Sequence, residues 1–314
     1  MKVAQFDNAF TRDIQRTFDN YRSEVASNSA YQQIFDVRST SEYTTNITST
    51  EGVKKPTWLN ESQNLTQNRL EKGFKVQYES DEFGHRIIIS QKARNKARDN
   101  ENILLDYIAT ERDDAIAAAH MFMEVESHRL LNNVTNTTFF QAPDTLSIAN
   151  AAHTWNSSVA TWSNVMTPAP FSTSVIDAAM AYGGAFQSPT GDQMPVSFDT
   201  IICKTGGAAS RAIKKTLGLG TASQYLATTI GAINLYFGEF TVIETPFLTD
   251  GNEYHFLSKG GQYANPFFID IIDAPHVEEM MVDHDNLDYI YPVVGSFKIG
   301  VQNQPFNYLY NAGS

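Results

Sequence analysis

The feature that most limits the possible folds is one helical pattern that runs without a break across residues 101–131. Leu104, Ile108, Ala115, Ala119, Phe122 and Leu130 recur on one face, and Leu105, Ile116 and Met123 widen it. At about 1.5 Å per residue this is a rod of about 45 Å, the length of a whole domain and far beyond the usual three or four turns. Asn132 and Asn133 end it, and Asp99 or Asn100 supplies its N-cap. Lys92, Arg94, Lys96 and Arg98 are poorly placed on the positive end of a helix dipole, so the helix is expected to begin after them.

Directly before the helix lies a hairpin-like stretch. Phe74, Val76 and Tyr78 alternate with Lys75, Gln77 and Glu79, the period-two pattern of a strand with one buried face. Residues 80–84 read as a break and 86–90 as the returning strand, which puts Phe83 at the turn. Two strands alone are marginal in water, so the hairpin is expected to take its partner face from another chain, with Phe83 as an anchor. Residues 39–68, rich in Ser, Thr and Asn, read as an extended or mobile segment. Phe6, Phe10, Ile14, Phe18 and Tyr21 recur at helical spacing, so 6–25 form an amphipathic arm whose narrow aromatic stripe needs a covering surface, in this chain or in a neighbour.

Beyond the long helix, 175–185 and 208–217 read as helices, the first entered through Pro168, Pro170 and the cap candidates Ser172 and Ser174. Residues 198–203, 235–244, 253–257, 267–272 and 289–301 read as strands, with a turn over 245–251.

Net charge is -12, which argues against a surface devoted to gripping nucleic acid, because that binding rests on phosphate neutralisation by Lys and Arg. Charged residues are only 18%, so much of the surface is neutral and polar or hidden against other chains. The single cysteine, Cys203, excludes a disulfide framework and is expected to be a buried, inert thiol in a reducing compartment. The start of the chain lacks a signal-peptide core, and no stretch approaches the ~20 apolar residues of a membrane span.

The constellations that could carry chemistry are weak. His120, Glu124 and His128 share one face of the helix, but lack the spacing of zinc hydrolases and read as solvent-facing polar residues. Lys204-Thr205-Gly206-Gly207 sits between a strand and a helix, yet its lysine precedes the glycines, so it reads as a turn and not a phosphate loop. Glu278, Glu279, Asp283, Asp285 and Asp288 make an acidic stretch without the spacing of a calcium loop. A solvated face explains it, or pairing with the basic run that holds Arg94 and Arg98 in a neighbouring subunit. No cofactor motif and no nucleophile motif appears.

The order of these segments resembles the major capsid proteins of tailed bacteriophages, the Hong Kong 97-like family, and among them the Mu-type major head subunits. The likeness is carried by Gly73-Phe74-Lys75-Val76 through Arg86-Ile87-Ile88-Ile89-Ser90-Gln91-Lys92-Ala93, by the long helix ending in Leu130-Leu131-Asn132, and by Ala152-His153-Thr154-Trp155. It continues in Phe198-Asp199-Thr200-Ile201-Ile202 and in Phe237-Gly238-Glu239-Phe240 through Thr249-Asp250. The resemblance implies an α+β fold with an N-terminal arm at 1–40, an extended loop at 41–92, a peripheral domain at 93–195 containing a spine helix at 99–133, an axial domain at 196–264, and a return to the peripheral domain at 265–314.

It further implies a non-enzymatic shell subunit that forms homo-hexamers and homo-pentamers, assembled in the host cytoplasm and resident in the virion. Its partners would be a separate scaffolding protein, a portal and decoration proteins, with double-stranded DNA enclosed without sequence-specific binding, no membrane and no cofactor. Phe74, Val76, Tyr78, Phe83, Arg86, Arg94, Arg98, Glu278, Glu279 and Asp283 are the expected subunit-interface residues. The competing readings are a tail or baseplate component and a metal-dependent hydrolase using His120, Glu124 and His128.

Overall fold

In the computed structural model the described residues are 29–51, 71–92, 95, 101–155, 161–188, 191–219, 236, 238–260, 265–302 and 304–314, with the backbone alone at 49–51, 71–72, 101–113 and 116. The expected arm at 6–25, Arg94, Lys96, Arg98 and the cap candidates Asp99 and Asn100 lie outside them.

The helix α1 (Ala30–Ile34) leads into β1 (Asp36–Ser39), β2 (Thr44–Glu51), β3 (Glu71–Glu79) and β4 (Asp81–Ile89), followed by the long helix α2 (Glu101–Asn132). Then come α3 (Thr173–Ala185), β5 (Thr200–Lys204), α4 (Ala208–Leu217), β6 (Thr241–Thr245), β7 (Tyr254–Leu257), β8 (Phe267–Val277), β9 (Met281–Val282), β10 (Tyr289–Val301) and β11 (Tyr308–Asn311). One sheet runs β1-β8-β10-β4, with β9 also on β10; a second runs β11-β7-β5-β6; β2 and β3 form a separate two-stranded ribbon.

The second sheet is the middle layer of the protein. Ile201 and Cys203 point into one core cluster with Ile213 and Leu217 of α4, whereas Ile202 points into the other with Leu130 and Leu131 of α2. Burial on both faces is why the run Ile201-Ile202-Cys203 is apolar throughout. β5 and β6 are parallel and joined through α4, the usual crossover for parallel neighbours. Cys203 is fully buried as expected, and burial pushes its thiol up to about 12. β11 pairs with β7, so the last strand joins the sheet built from residues 200–257 rather than the one built on β8 and β10.

The expected hairpin does not form. β3 pairs antiparallel with β2, placing Tyr78 opposite Thr45 and Val76 opposite Ile47. β4 pairs antiparallel with β10, more than 200 residues later, and only Ser80 separates β3 from β4. Alternation is real in both strands; it specifies a face and says nothing of the partner. Residues 81–84 are therefore strand and not turn, and Phe83 is not at a tip. Its ring stacks on Phe122 at 5.1 Å and meets Phe297 edge-on at 5.5 Å. Gly295 lies opposite it, and a Cβ there would come 2.7 Å from the ring, so this position must be glycine for the aromatic to lie flat across the sheet.

α2 spans its expected length, and Ala115, Ala119, Met123 and Leu130 form its buried face. Phe122 was expected there but is 41% exposed at the edge of that face. The helix end is pinned: Asn132 Nδ2 donates to the Phe247 carbonyl at 2.9 Å, and its Oδ1 accepts the Thr249 N–H at 2.8 Å. Helical backbone also occurs earlier than expected, at Gln91, Lys92 and Asn95. The Gln91 N–H donates to the Asp288 carboxylate at 2.9 Å, which sets an anion at the start of that turn, where a helix dipole favours one.

α4 and β10 take the spans the sequence predicts, and α3 begins two residues early, at Thr173. β6 starts at Thr241 instead of 235, and residue 235 is outside the described set. Because Phe83 packs within its own chain, Phe83→Ala should lower the stability of the dispersed chain by about 2 kcal/mol, roughly half the value of a fully buried Phe. Denaturant unfolding measures it; an unchanged midpoint would refute the intramolecular role.

Candidate assembly surfaces

The ribbon β2–β3 is fastened to the first sheet through one carboxylate. Asp270 of β8 is 3% exposed and receives Arg38 Nε of β1 at 2.8 Å on one oxygen. Its other oxygen receives the Thr45 hydroxyl of β2 at 3.0 Å and stands 3.6 Å from Lys298 Nζ of β10. Lys298, itself 2% exposed, also donates to the Glu42 carbonyl at the entry to the ribbon. Arg38 lies 4.3 Å over the Phe268 ring. One buried cation, Lys298, and one partly exposed cation, Arg38, share the carboxylate, an arrangement in which a buried ion pair is tolerated. Tyr78 completes the root: its hydroxyl donates to the Val301 carbonyl at 3.1 Å and its ring meets Phe268 edge-on at 5.5 Å. Burial raises its phenol to about 12.

Among the expected interface residues, Phe74, Val76 and Tyr78 are half-buried on one face of β3, and Lys75, Gln77 and Glu79 are exposed on the other. Arg86 is exposed on β4, opposite Pro292. Glu278 and Glu279 are exposed, and the Glu278 N–H donates to the Pro292 carbonyl at 2.9 Å. Asp283 frames the next turn, where its Oδ1 accepts the Asp285 N–H at 3.0 Å. The bond from Gln91 to Asp288 sets Gln91 beside the acidic stretch of the same chain, whereas Arg94 and Arg98 lie outside the described residues.

Between the ribbon root and α2 lies a cleft of about 510 Å³, lined by Val76, Tyr78, Phe83, Phe122, Phe139 and Phe297. Glu79, Asp81, Glu82 and Glu126 edge it, and Arg129 bonds Glu126 at 3.1 Å and covers the Phe139 ring at 4.0 Å. The apolar surface continues along α2: Met121 is 53% and Val125 46% exposed, with Ala117 and Ala118 exposed one turn before them. Sequence reading missed this face, because the spacing of apolar residues supported a wide core stripe and gave no sign of which edge stays uncovered.

His120, Glu124 and His128 were expected to face solvent, and the structure corrects this. Glu124 is 8% exposed and accepts the N–H groups of Ala30 at 2.8 Å and Tyr31 at 3.2 Å, so it caps α1 from across the protein. Burial nonetheless lifts its carboxyl above the ordinary range. His128 is fully buried, with Nδ1 2.7 Å from the Glu124 carbonyl, a geometry that assigns the proton to Nδ1. Burial holds it below the usual imidazole value. Residues four apart drift by about 40° around a helix, so the trio turns from solvent into the core.

Across the interior, His255 of β7 places Nδ1 2.7 Å from the Tyr308 hydroxyl, and burial, then the nearby His128, push it down to about 3. Glu253 lies 4.0 Å from His255 Nε2; burial, then Asp250, raise its carboxyl to about 7. Among the described residues no group of three or more His, Cys, Asp and Glu could hold a metal ion, and no helix is long and apolar enough to cross a membrane. Lys204-Thr205-Gly206-Gly207 is a tight connection into α4, with Gly206 at φ +70° and Lys204 Nζ on the Thr249 carbonyl at 2.8 Å.

No protein-family model matches the chain, and no curated protein matches it. Solved structures do. The capsid of the cyanophage P-SCSP1u is similar over 90% of this chain and 86% of its own, with TM-score 0.54 at 9% identity. The acid-stable capsid of Helicobacter pylori bacteriophage KHP30 is similar over 90% and 91%, with TM-score 0.53 at 9% identity. The capsid of an empty GTA particle is similar over 90% and 89%, with TM-score 0.50 at 13% identity. At these identities the likeness is one of fold: a mixed α/β architecture consistent with the Hong Kong 97-like capsid fold, followed along nearly the whole chain.

Asp270→Ala should destabilise the dispersed chain by about 3–5 kcal/mol, because it leaves Lys298 and Arg38 without their counter-charge. Equilibrium unfolding checks this, and a loss under 1 kcal/mol would show that the cluster is not an anchor. Glu253 gives a pH signature. Its value in the folded chain, about 7 against an ordinary 4.5, means the protonated carboxyl stabilises the fold below pH 4.5 and that contribution is lost as pH rises through 7. His255 acts in the other direction: its contribution is present above pH 6.5 and is lost as pH falls toward 3. Between pH 5 and pH 8 the wild type should therefore lose about 2–3 kcal/mol relative to Glu253→Gln. Parallel unfolding curves at the two pH values test it; a constant difference would contradict it.

Proposed function

We propose that this chain is the major capsid protein of a tailed bacteriophage, a subunit that assembles with copies of itself into the icosahedral shell of the head. The observation that carries the reading is the end-to-end fold likeness to phage capsid chains, about nine-tenths of the length on each side. In this reading α2 is the spine helix, and the ribbon with β4 belongs to the extended loop of 41–92. Residues 93–195 and 265–314 make the peripheral domain and 196–264 the axial domain. Hexamers and pentamers of the one chain close the shell, since a closed cage uses the same heterologous surfaces repeatedly.

A net charge of -12 suits a container for double-stranded DNA, because an acidic wall repels the polymer instead of gripping it. A scaffolding protein, a portal and decoration proteins are the further partners, and the mature subunit resides in the virion after assembly in the host cytoplasm. Phe74, Val76 and Arg86 of the loop, and pairing of Arg94 and Arg98 with Glu278, Glu279 and Asp283, supply contacts between subunits. The chain is structural and has no reaction to catalyse.

Negative-stain microscopy of the purified chain, with and without a scaffolding protein from the same source, tests the proposal. Closed isometric shells, or hexamer and pentamer rings that convert to them, are expected. Tubes or discs whose subunit packing differs from that of shells would support a tail component instead, and a monomer under both conditions would overturn the assembly role.

A further inference from the structure

Side chains of β10 alternate between two faces of the first sheet. Phe297 turns toward Phe122 of α2, and its neighbour Lys298 turns the other way, toward the ribbon root. Followed from the root toward residue 289, the face of the even-numbered residues emerges from under the ribbon. There the register places Ile290 between Ile88 of β4 and Met281 of β9. Residues directly opposite one another in antiparallel strands share a face, so these three form one apolar row, in which Ile88 is 52% and Met281 53% exposed.

The next row on the same face carries charge. Arg86 of β4 lies opposite Pro292, and on the other side the Glu278 N–H on the Pro292 carbonyl carries the register of β8 one residue further. Arg86 and Glu278 are exposed at the two ends of this row, and neither forms an ion pair among the described residues. The face thus has a hydrophobe and a cation on its β4 side, a hydrophobe and an anion on its β9 side, and β10 between them.

We propose that two copies of this chain meet on this face about a twofold axis that runs along β10. Rotation about that line exchanges the β4 side with the β9 side. Ile88 of each copy then lies on the second copy's Met281, Ile290 lies on Ile290, and Arg86 of each copy reaches Glu278 of the other. Sheets packed face to face stand about 10 Å apart, a gap that an arginine and a glutamate side chain span together. The pattern selects the occupant: one face carries both members of every contact, as an isologous interface requires. A foreign protein would have to reproduce the same order of charges and apolar groups.

This inference rests on the reading that copies of the chain assemble; it adds the surface of a twofold contact and gives Glu278 its cation. The patch covers only the ends of three strands, well short of the roughly 800 Å² per partner of a stable interface, so the contact is weak alone and gains by repetition in an array.

The test uses the full-length chain under assembly conditions. Ile290→Cys is treated with a bismaleimide of about 10 Å span, matched to the sheet separation. The native Cys203 is buried and does not compete. A dimer is expected to form about tenfold faster than from Met180→Cys, an exposed position of α3. Equal rates would overturn the contact, and closed shells seen in the same sample would leave the shell role standing. A fast dimer from a chain that closes no shell would keep the contact and remove that role.

Charge reversal is an independent check. In the Ile290→Cys background, Arg86→Glu or Glu278→Arg sets like charges against each other and should slow the cross-link about tenfold. The two variants mixed in equal amounts present complementary faces, so cross-linking should return to about half the parent rate, because only unlike pairs match. That recovery also shows that both variants are folded. A mixture as slow as its components would overturn the pairing.

Discussion

Asp270 ties the ribbon to three strands that the first sheet already sets side by side, with Arg38 and Lys298 as its two cross-strand neighbours. Arg38 comes from β1, Thr45 from the ribbon, Lys298 from the long central strand β10, and Lys298 reaches on to the backbone at Glu42. Asp270 and Lys298, each removed from water alone, would carry a desolvation penalty of several kcal/mol; together, with the partly exposed Arg38, they offset it. The consequence is directional as well as energetic. Apolar packing would let the ribbon root slide, whereas a carboxylate with fixed lone-pair directions admits one arrangement of its donors.

β10 carries this order into the rest of the molecule. Its Phe297 meets Phe83 and, beyond it, Phe122 of α2, so the strand, the edge strand β4 and the long helix share one aromatic contact. At the far end of α2, Asn132 grips the turn between β6 and β7, and His128 lies against Phe247 at 5.3 Å. The helix is thus tied at one place to the first sheet and at another to the second. Glu124, capping α1, adds a third tie. A rod with three attachments, in the core of a chain with the fold of phage capsid subunits, couples the position of the ribbon to that of the second sheet.

Local chemistry was legible in the sequence, and pairing was not. The bounds of α4 and β10 follow from runs that carry their own turn and cap signals, and Gly218 in the left-handed region closes α4. The alternation Phe74, Val76, Tyr78 fixed a strand and its inward face, and both hold. What failed was the choice of partner for β4, since nothing within residues 81–89 announces a strand more than 200 residues away. The same limit explains the helix trio: i, i+4 spacing tells that Glu124 and His128 are near each other, but only tertiary packing decides that α1 arrives there to use the carboxylate. The Asp270 cluster was invisible for this reason too, its members being separated by up to 260 residues.

The junction at Ser80 has a mechanical meaning. On one side of it lies β3, in the ribbon; on the other lies β4, in the first sheet; the Ser80 N–H is held by the Tyr43 carbonyl at 3.0 Å. β3 is 9 residues long, about 30 Å at the usual rise of a strand. The ribbon is therefore a lever pivoted at the root that Ser80, Thr45 and Tyr78 share: a torsional change of about 10° there moves its far end by about 5 Å, several times the displacement that well-packed side chains tolerate. Small torsional differences at the root can thus be converted into large differences in where the ribbon reaches, with no change in either sheet.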